Sequence, residues 1–230
     1  MDRPRPAHRN RAGAERGRDH MITLVASLKG GSGKSTVAFN LGVWLALGEV
    51  ACRLVDIDPQ ATLSDVLEVR REEGYAPVLP VLDKQALTVE GLAGADQVVI
   101  DAGTADMESL RLALALCDRV VVPVQPSQAD IWSAQRFIHL VASVARERPL
   151  EVLGFINRGD THHAVRETDE AAAALVALPG IRFIKPRLSQ RTVFRRSFSE
   201  GLAVFELESK GKAAREFLGL AAVLYADLVG

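Results

Sequence analysis

The chain holds 230 residues, 48% hydrophobic and 25% charged, which suits one globular domain with a substantial core and argues against a disordered or fibrous chain. Its 28 basic and 29 acidic residues nearly cancel, so a nucleic-acid or membrane partner would have to be met by a local patch. Cys52 and Cys117 lie 65 positions apart outside any CxxC or Cys/His cluster, which argues against zinc, iron–sulfur and disulfide scaffolds and points to a reducing cytoplasm.

Residues 1–20 read as a disordered basic arm. They take six of the 28 basic and three of the 29 acidic residues, a net +3, and leave 22 against 26 for the body at 21–230. Two readings stand: a dispensable tail ahead of a start at Met21, or a nonspecific polyanion-binding arm. No apolar run approaches the roughly 18 residues of a membrane span, and no secretory h-region precedes the body.

From residue 21 onward, short apolar runs alternate with longer helical patterns. Strands are expected at Ile22 to Ser27, Ala51 to Asp56, Gln97 to Asp101, Arg119 to Val124, Glu151 to Asn157 and Ile181 to Ile184. Several are near-continuous Val/Ile/Leu, as in parallel strands covered on both faces. Helices are expected at Lys34 to Leu47, Thr62 to Arg70, Met107 to Leu116, Ala129 to Arg146, His163 to Leu175, Ser189 to Ser197 and Lys210 to Leu228. The alternation predicts an α/β, doubly wound, mostly parallel sheet with helices on both faces and ligands at the carboxyl ends of the strands. Glu72 to Gly94, including Lys84, carries too weak a pattern to assign. His162 and His163 have no Cys or carboxylate at metal-ligand spacing and read as a polar surface pair.

The first strand runs into Lys29-Gly30-Gly31-Ser32-Gly33-Lys34-Ser35-Thr36 and then directly into a helix. Glycines let successive backbone N–H groups turn inward around a phosphate, and the helix start adds its positive end. Lys34 can neutralise β/γ charge and Ser35 can ligate magnesium. A standard G-x-x-x-x-G-K-[ST] loop would need Gly at position 28, where this chain has Leu28.

The departure carries information, because K-G-G-x-G-K-[ST] is the deviant Walker A of the ParA/MinD family of dimeric ATPases, which Lys29 to Ser35 resembles residue for residue. The resemblance implies ATP and Mg2+ as ligands, contacts from Gly30 through Thr36, and a homodimer in which Lys29 reaches the partner's nucleotide. Asp56-Ile57-Asp58-Pro59-Gln60 resembles the family's D-x-D-P-Q switch, whose second carboxylate, here Asp58, positions the attacking water. Asp101-Ala102-Gly103 resembles Walker B, whose carboxylate holds magnesium through water; Ser35, Asp56 and Asp101 form the expected metal set. The likeness continues through Pro123-Val124-Gln125-Pro126-Ser127 and Asn157-Arg158. It implies a base pocket at Asn157 and the Pro186 loop. It covers Met21 to the C-terminus without an added DNA-reading domain, as in short-form ParA proteins.

Related classes separate on single features. A nitrogenase-type iron protein needs cluster cysteines near the switches, and a MinD-like membrane-cycling ATPase needs a basic amphipathic C-terminal helix. Glu216 to Gly230 is apolar and lacks a basic residue, so it reads as a packing helix, and no stable membrane association is expected. Dethiobiotin synthetase-like ligases share the fold and have no use for Lys29. A DNA-partition reading needs cations, and Arg182, Lys185, Arg187, Arg191, Arg195 and Arg196 place six in fifteen residues with no acid among them. Relatives carry nucleoid-binding residues in this region, followed by an element that Gly201 to Glu206 resembles. Lys185, Arg187, Arg191, Arg195 and Arg196 are therefore the expected nonspecific DNA contacts.

The sequence thus reads as a cytoplasmic, nucleoid-associated, weak ATPase whose ATP dimer positions plasmid or chromosome DNA through a ParB-like adaptor. A protein body, such as a carboxysome or chemoreceptor cluster carried by its own adaptor, is the alternative cargo. A nucleotide-gated binding module without useful turnover is the alternative class.

Overall fold

Leu24, Val99, Val121 and their neighbours are branched or bulky, stiff at the side chain, and buried on both faces of one sheet. The computed structural model describes residues 20–145, 150–161 and 166–228. Residues 1–19, and with them the basic arm up to His20, as well as Arg146, His162 and His163, lie outside the described residues. In chain order the elements are β1 (Met21–Val25), α1 (Lys34–Leu47), β2 (Cys52–Asp56), α2 (Thr62–Glu72), β3 (Val81–Leu82), α3 (Val89–Leu92), β4 (Gln97–Asp101), α4 (Met107–Leu116) and β5 (Arg119–Val124). There follow α5 (Gln128–Val144), β6 (Glu151–Gly159), α6 (Glu167–Ala177), β7 (Arg182–Phe183), β8 (Leu188–Ser189), α7 (Thr192–Ser199), α8 (Val204–Leu207) and α9 (Lys212–Leu224).

All strand pairings described are parallel, in the order β3-β2-β4-β1-β5-β6-β7, with β8 also pairing β6. The chain leaves β1 towards β2 on one side, returns through β4, and then crosses to β5 on the other side. β1 is therefore a switch point, and a crevice opens at its carboxyl end. One face of the sheet is covered by α1, α2 and α7 to α9, through Leu41, Leu63, Val193 and Phe217. The other is covered by α3 to α6, through Leu92, Leu110, Phe137 and Leu175. Helix α1 is buried on nearly every side, so its apolar residues do not form one stripe.

The expected doubly wound fold is present, and the unassigned stretch from Glu72 to Gly94 supplies β3 and α3. The C-terminal segment packs as expected: Ala213, Phe217, Leu220 and Leu224 of α9 are buried in the core. No helix among the described residues is long and apolar enough to cross a membrane. Both cysteines are free thiols, and burial pushes that of Cys52 up to about 12.

Candidate functional site

The parallel register brings the candidate residues together. Val25 at the end of β1 is level with Asp101 at the end of β4, and Asp101 with Asp56 at the end of β2. The Lys29–Gly33 loop, both carboxylates and the start of α1 therefore meet at one edge.

The loop is braced from three sides. Within it, the Ser27 and Ser32 hydroxyls share a 2.8 Å hydrogen bond, and Ser27 Oγ donates to Lys29 O at 3.1 Å. From just beyond β5, Gln125 Nε2 donates to Gly31 O at 3.2 Å. From β6, the buried Asn157 donates from Nδ2 to Ser32 O at 2.6 Å. Gly31 and Gly33 have φ of 75° and 89°, which only glycine adopts without strain, and a Cβ on Gly33 would lie 2.4 Å from Asn157 Nδ2. Gly33 caps α1 without a side chain, so the first N–H groups of the helix stay available to an anion. Ser35 and Thr36 occupy that first turn.

Lys34 is buried, and its Nζ donates to Lys29 O at 3.2 Å. Burial lowers its affinity for the proton, and Asp101 and Asp58 work against that. Lys29, in contrast, stands at the rim with its side chain 40% exposed, its Nζ 2.5 Å from Asp130 Oδ2.

The three acids have different surroundings. Asp56 is engaged: its Oδ2 accepts from the Ser64 N–H and hydroxyl, both at 2.9 Å, and its Oδ1 from the Asp58 N–H at 3.1 Å. It ties the first turn of α2 to the sheet, level with Asp101, the other acid of the expected metal set. Asp58 Oδ1 accepts from the Gln60 N–H at 3.0 Å, while the carboxylate packs on Gly103, where a Cβ would lie 2.3 Å from Asp58 Cγ. Asp101 is fully buried and neither of its oxygens is hydrogen-bonded; the Ser35 hydroxyl lies nearby outside good bonding geometry. Burial above all, with Asp56 and Asp58 beside it, pushes its carboxyl up to about 7 against the lowering effects of Ser35 and Lys34. A buried carboxylate with two unused oxygens beside a hydroxyl fits a magnesium ion. Such ions take one or two protein oxygens and complete their shell with water and phosphate, so a closed cage of acids, which the described residues lack, is not required.

Beside Gly33 a cavity of about 550 Å³ opens between Asn157 and the segment from Leu188 to Phe198. Asn157, expected as a base-pocket residue, lines this cavity, and its amide braces the loop. Pro186 does not line the cavity; Gln190, Thr192 and Phe194 do, because β8 carries the chain inward beyond Pro186.

The expected cationic stretch is crossed by ion pairs. The stretch contains no acid, but the fold supplies acids from elsewhere. Arg182 pairs with Glu151 at 2.6 Å, Arg187 with Asp169 at 3.2 Å and Arg191 with Glu216 at 2.6 Å. Arg196 lies between Glu200 at 3.3 Å and Glu208 at 3.4 Å. Arg191 precedes α7 in extended backbone instead of sharing a helical face with Arg195, and both line the cavity. Among these six, Lys185 and Arg195 are exposed without an ion pair among the described residues. Asp130 was not singled out in the sequence, and Gln125 only as part of the Pro123 to Ser127 likeness. The signal for Asp130 was Ser127-x-x-Asp130 ahead of an apolar run, an N-cap pattern, and Ser127 does cap α5 by accepting from the Asp130 N–H.

Residues 23–204 match the CobQ/CobB/MinD/ParA nucleotide binding domain. Maintenance of carboxysome distribution protein A of Halothiobacillus neapolitanus is 29% identical over 84% of this chain and 90% of its own length. Protein ParA of Rhizobium radiobacter is 24% identical over 82% and 87%. The fold is shared with a plasmid partition protein of Borrelia burgdorferi solved with AMPPNP, at a TM-score of 0.69 and 18% identity over 91% of this chain and all of that one. With the phosphate loop and both acid-bearing strands inside the matched span, the chain belongs to the CobQ/CobB/MinD/ParA nucleotide-binding family and, within it, to the ParA/MinD group of P-loop ATPases.

Proposed function

We propose that this chain is a magnesium-dependent ATPase that forms a homodimer when ATP-bound, turns over weakly until a partner stimulates it, and positions cargo over DNA. One observation carries the reading: two lysines of a single loop face different ways. Lys34 is buried against the loop it would fill with phosphate, while Lys29 stands at the rim, where a second subunit could be reached.

In this reading the N–H groups of Gly30 to Thr36 and the Lys34 ammonium hold the phosphates, and Gln190, Thr192 and Phe194 with Asn157 enclose the base. Ser35 and Asp101 would hold magnesium, which when bound neutralises charge on the phosphate oxygens. Asp58 orients the water, its carboxylate steadied by the Gln60 N–H and seated on Gly103.

The cargo is DNA joined through a ParB-like adaptor, and the nucleoid is the track. The unpaired Lys185 and Arg195 are the DNA contacts. One subunit offers few, and a dimer doubles them on one rigid body, which makes retention ATP-dependent. A protein body as cargo is the second reading, favoured by the 29% relative named for carboxysome distribution. Phosphate release by the full chain with magnesium and ATP tests the enzyme, and retention on nonspecific duplex with an ATP analogue against ADP tests the track. Release no faster than from Asp58→Ala would leave a nucleotide-gated binding module.

A further inference from the structure

Lys29 makes its ion pair inside its own subunit. Asp130 is 5% exposed, and its Oδ2 takes both the Lys29 ammonium at 2.5 Å and the Ser127 hydroxyl. No other cation pairs with that carboxylate among the described residues. The contact follows from topology: β1 and β5 are neighbouring parallel strands, so the loop after one lies against the helix start after the other. A lysine reaching into a second subunit must leave this carboxylate, and the carboxylate then remains buried with a hydroxyl as its one polar side-chain partner. The separation is unfavourable in a way that an exposed pair would not be.

We propose that Asp130 is an internal competitor for Lys29: its buried carboxylate holds the lysine in cis and so raises the protein concentration at which the ATP-bound dimer forms. The inference rests on the dimer reading above and deepens it by naming the contact that opposes dimerisation. Asp130 acts through Lys29 and is a positioning residue. Because both subunits of a symmetric dimer release their lysine, the effect enters twice.

The test is sedimentation velocity of the full chain over a concentration series, with magnesium and a non-hydrolysable ATP analogue. Asp130→Asn removes the charge and keeps the shape. It lowers the concentration for half-dimerisation by about tenfold or more, since one partner of the pair is buried and the other only half-exposed. In a Lys29→Ala background the same Asp130→Asn change produces no gain, because the competed group is gone; this closes a double-mutant cycle. Ser127→Ala removes the hydroxyl that shares Oδ2 and leaves the carboxylate to Lys29, so it shifts half-dimerisation to higher concentration, and this arm stands even where Asp130→Asn does not fold. An unchanged or weaker Asp130→Asn dimer overturns the inference, as does an equal gain in the Lys29→Ala background or an unchanged or tighter Ser127→Ala dimer. A wild-type chain that stays monomeric with the analogue overturns the dimer reading and this inference with it, whereas a wild-type dimer with a null Asp130→Asn effect overturns only the inference.

Discussion

Gly103→Ala is a one-carbon probe of Asp58. The new Cβ would lie 2.3 Å from Asp58 Cγ and 2.4 and 2.6 Å from its two oxygens, where ordinary contact begins at 3.4 Å. Gly103 follows a strand end and a buried alanine, so its backbone has little room to retreat, while the Asp58 side chain can turn. The acid therefore moves by about 1 Å, and a misplacement of that size in a group that orients a reactant lowers turnover by roughly 100-fold. Nucleotide affinity changes little, because the three atoms nearest the new methyl all belong to Asp58. Steady-state phosphate release gives kcat and KM, and fluorescence of a bound ATP analogue gives affinity. The expected signature is a fall in kcat with KM and affinity within about twofold, the pattern of an interaction made in the transition state. Wild-type kcat in a folded Gly103→Ala chain would refute the placement of water by Asp58.

Other perturbations address separate parts of the account. Below about pH 7 a proton occupies Asp101 and must leave before magnesium enters, so apparent magnesium affinity should fall about tenfold per unit beneath that point and level off above it. Magnesium titrations at pH 6 and 8, repeated on Asp101→Asn, check this; equal slopes in both proteins would contradict it. Arg70 is 1% exposed, pairs with both Glu206 oxygens at 2.8 Å and donates to the carbonyls of Ala76, Pro77 and Gly201. Glu206→Ala strands that charge and should cost about 3 kcal/mol, lowering Tm by roughly 6–12 °C in a chain of this size; a thermal melt within 2 °C of wild type, on the order of the experimental error, would show that the pair contributes little. For DNA, Lys185→Glu with Arg195→Glu should reduce the slope of log affinity against log salt by about one per lost phosphate contact, whereas Arg196→Glu should do less because Glu200 and Glu208 already engage that residue.

The phosphate loop and the strands beside it were legible because their signals are local. Glycines at positive φ, a lysine beside a helix start and β-branched runs ending in Asp101 need no knowledge of what lies opposite. α1, β4, α4 and β5 accordingly occupy the residues expected of them. The ion pairs of the basic stretch were not legible for the opposite reason: the partners of Arg182, Arg187 and Arg191 come from β6, α6 and α9, up to 31 positions away. Pro186 stands outside the cavity beside Gly33 because β8, two residues whose pairing with β6 has no periodic signature, lines it instead. The Ser64 contacts of Asp56 were not legible, because they depend on the turn into α2. Ser127 carries a readable cap pattern with Asp130, but the ion pair of Asp130 with Lys29 depends on β1 and β5 being neighbours, which no local pattern states.

In the proposed function one loop divides two tasks between two lysines. Calorimetric titration of magnesium and a non-hydrolysable ATP analogue into dilute wild-type, Lys34→Ala and Lys29→Ala chains tests it most directly. Lys34→Ala should lose binding by about 100-fold or more, since it removes a buried, charge-assisted contact to the phosphates, while Lys29→Ala should bind the analogue as a monomer with nearly unchanged affinity. Undiminished binding by Lys34→Ala, or an equal loss in both variants, would contradict it.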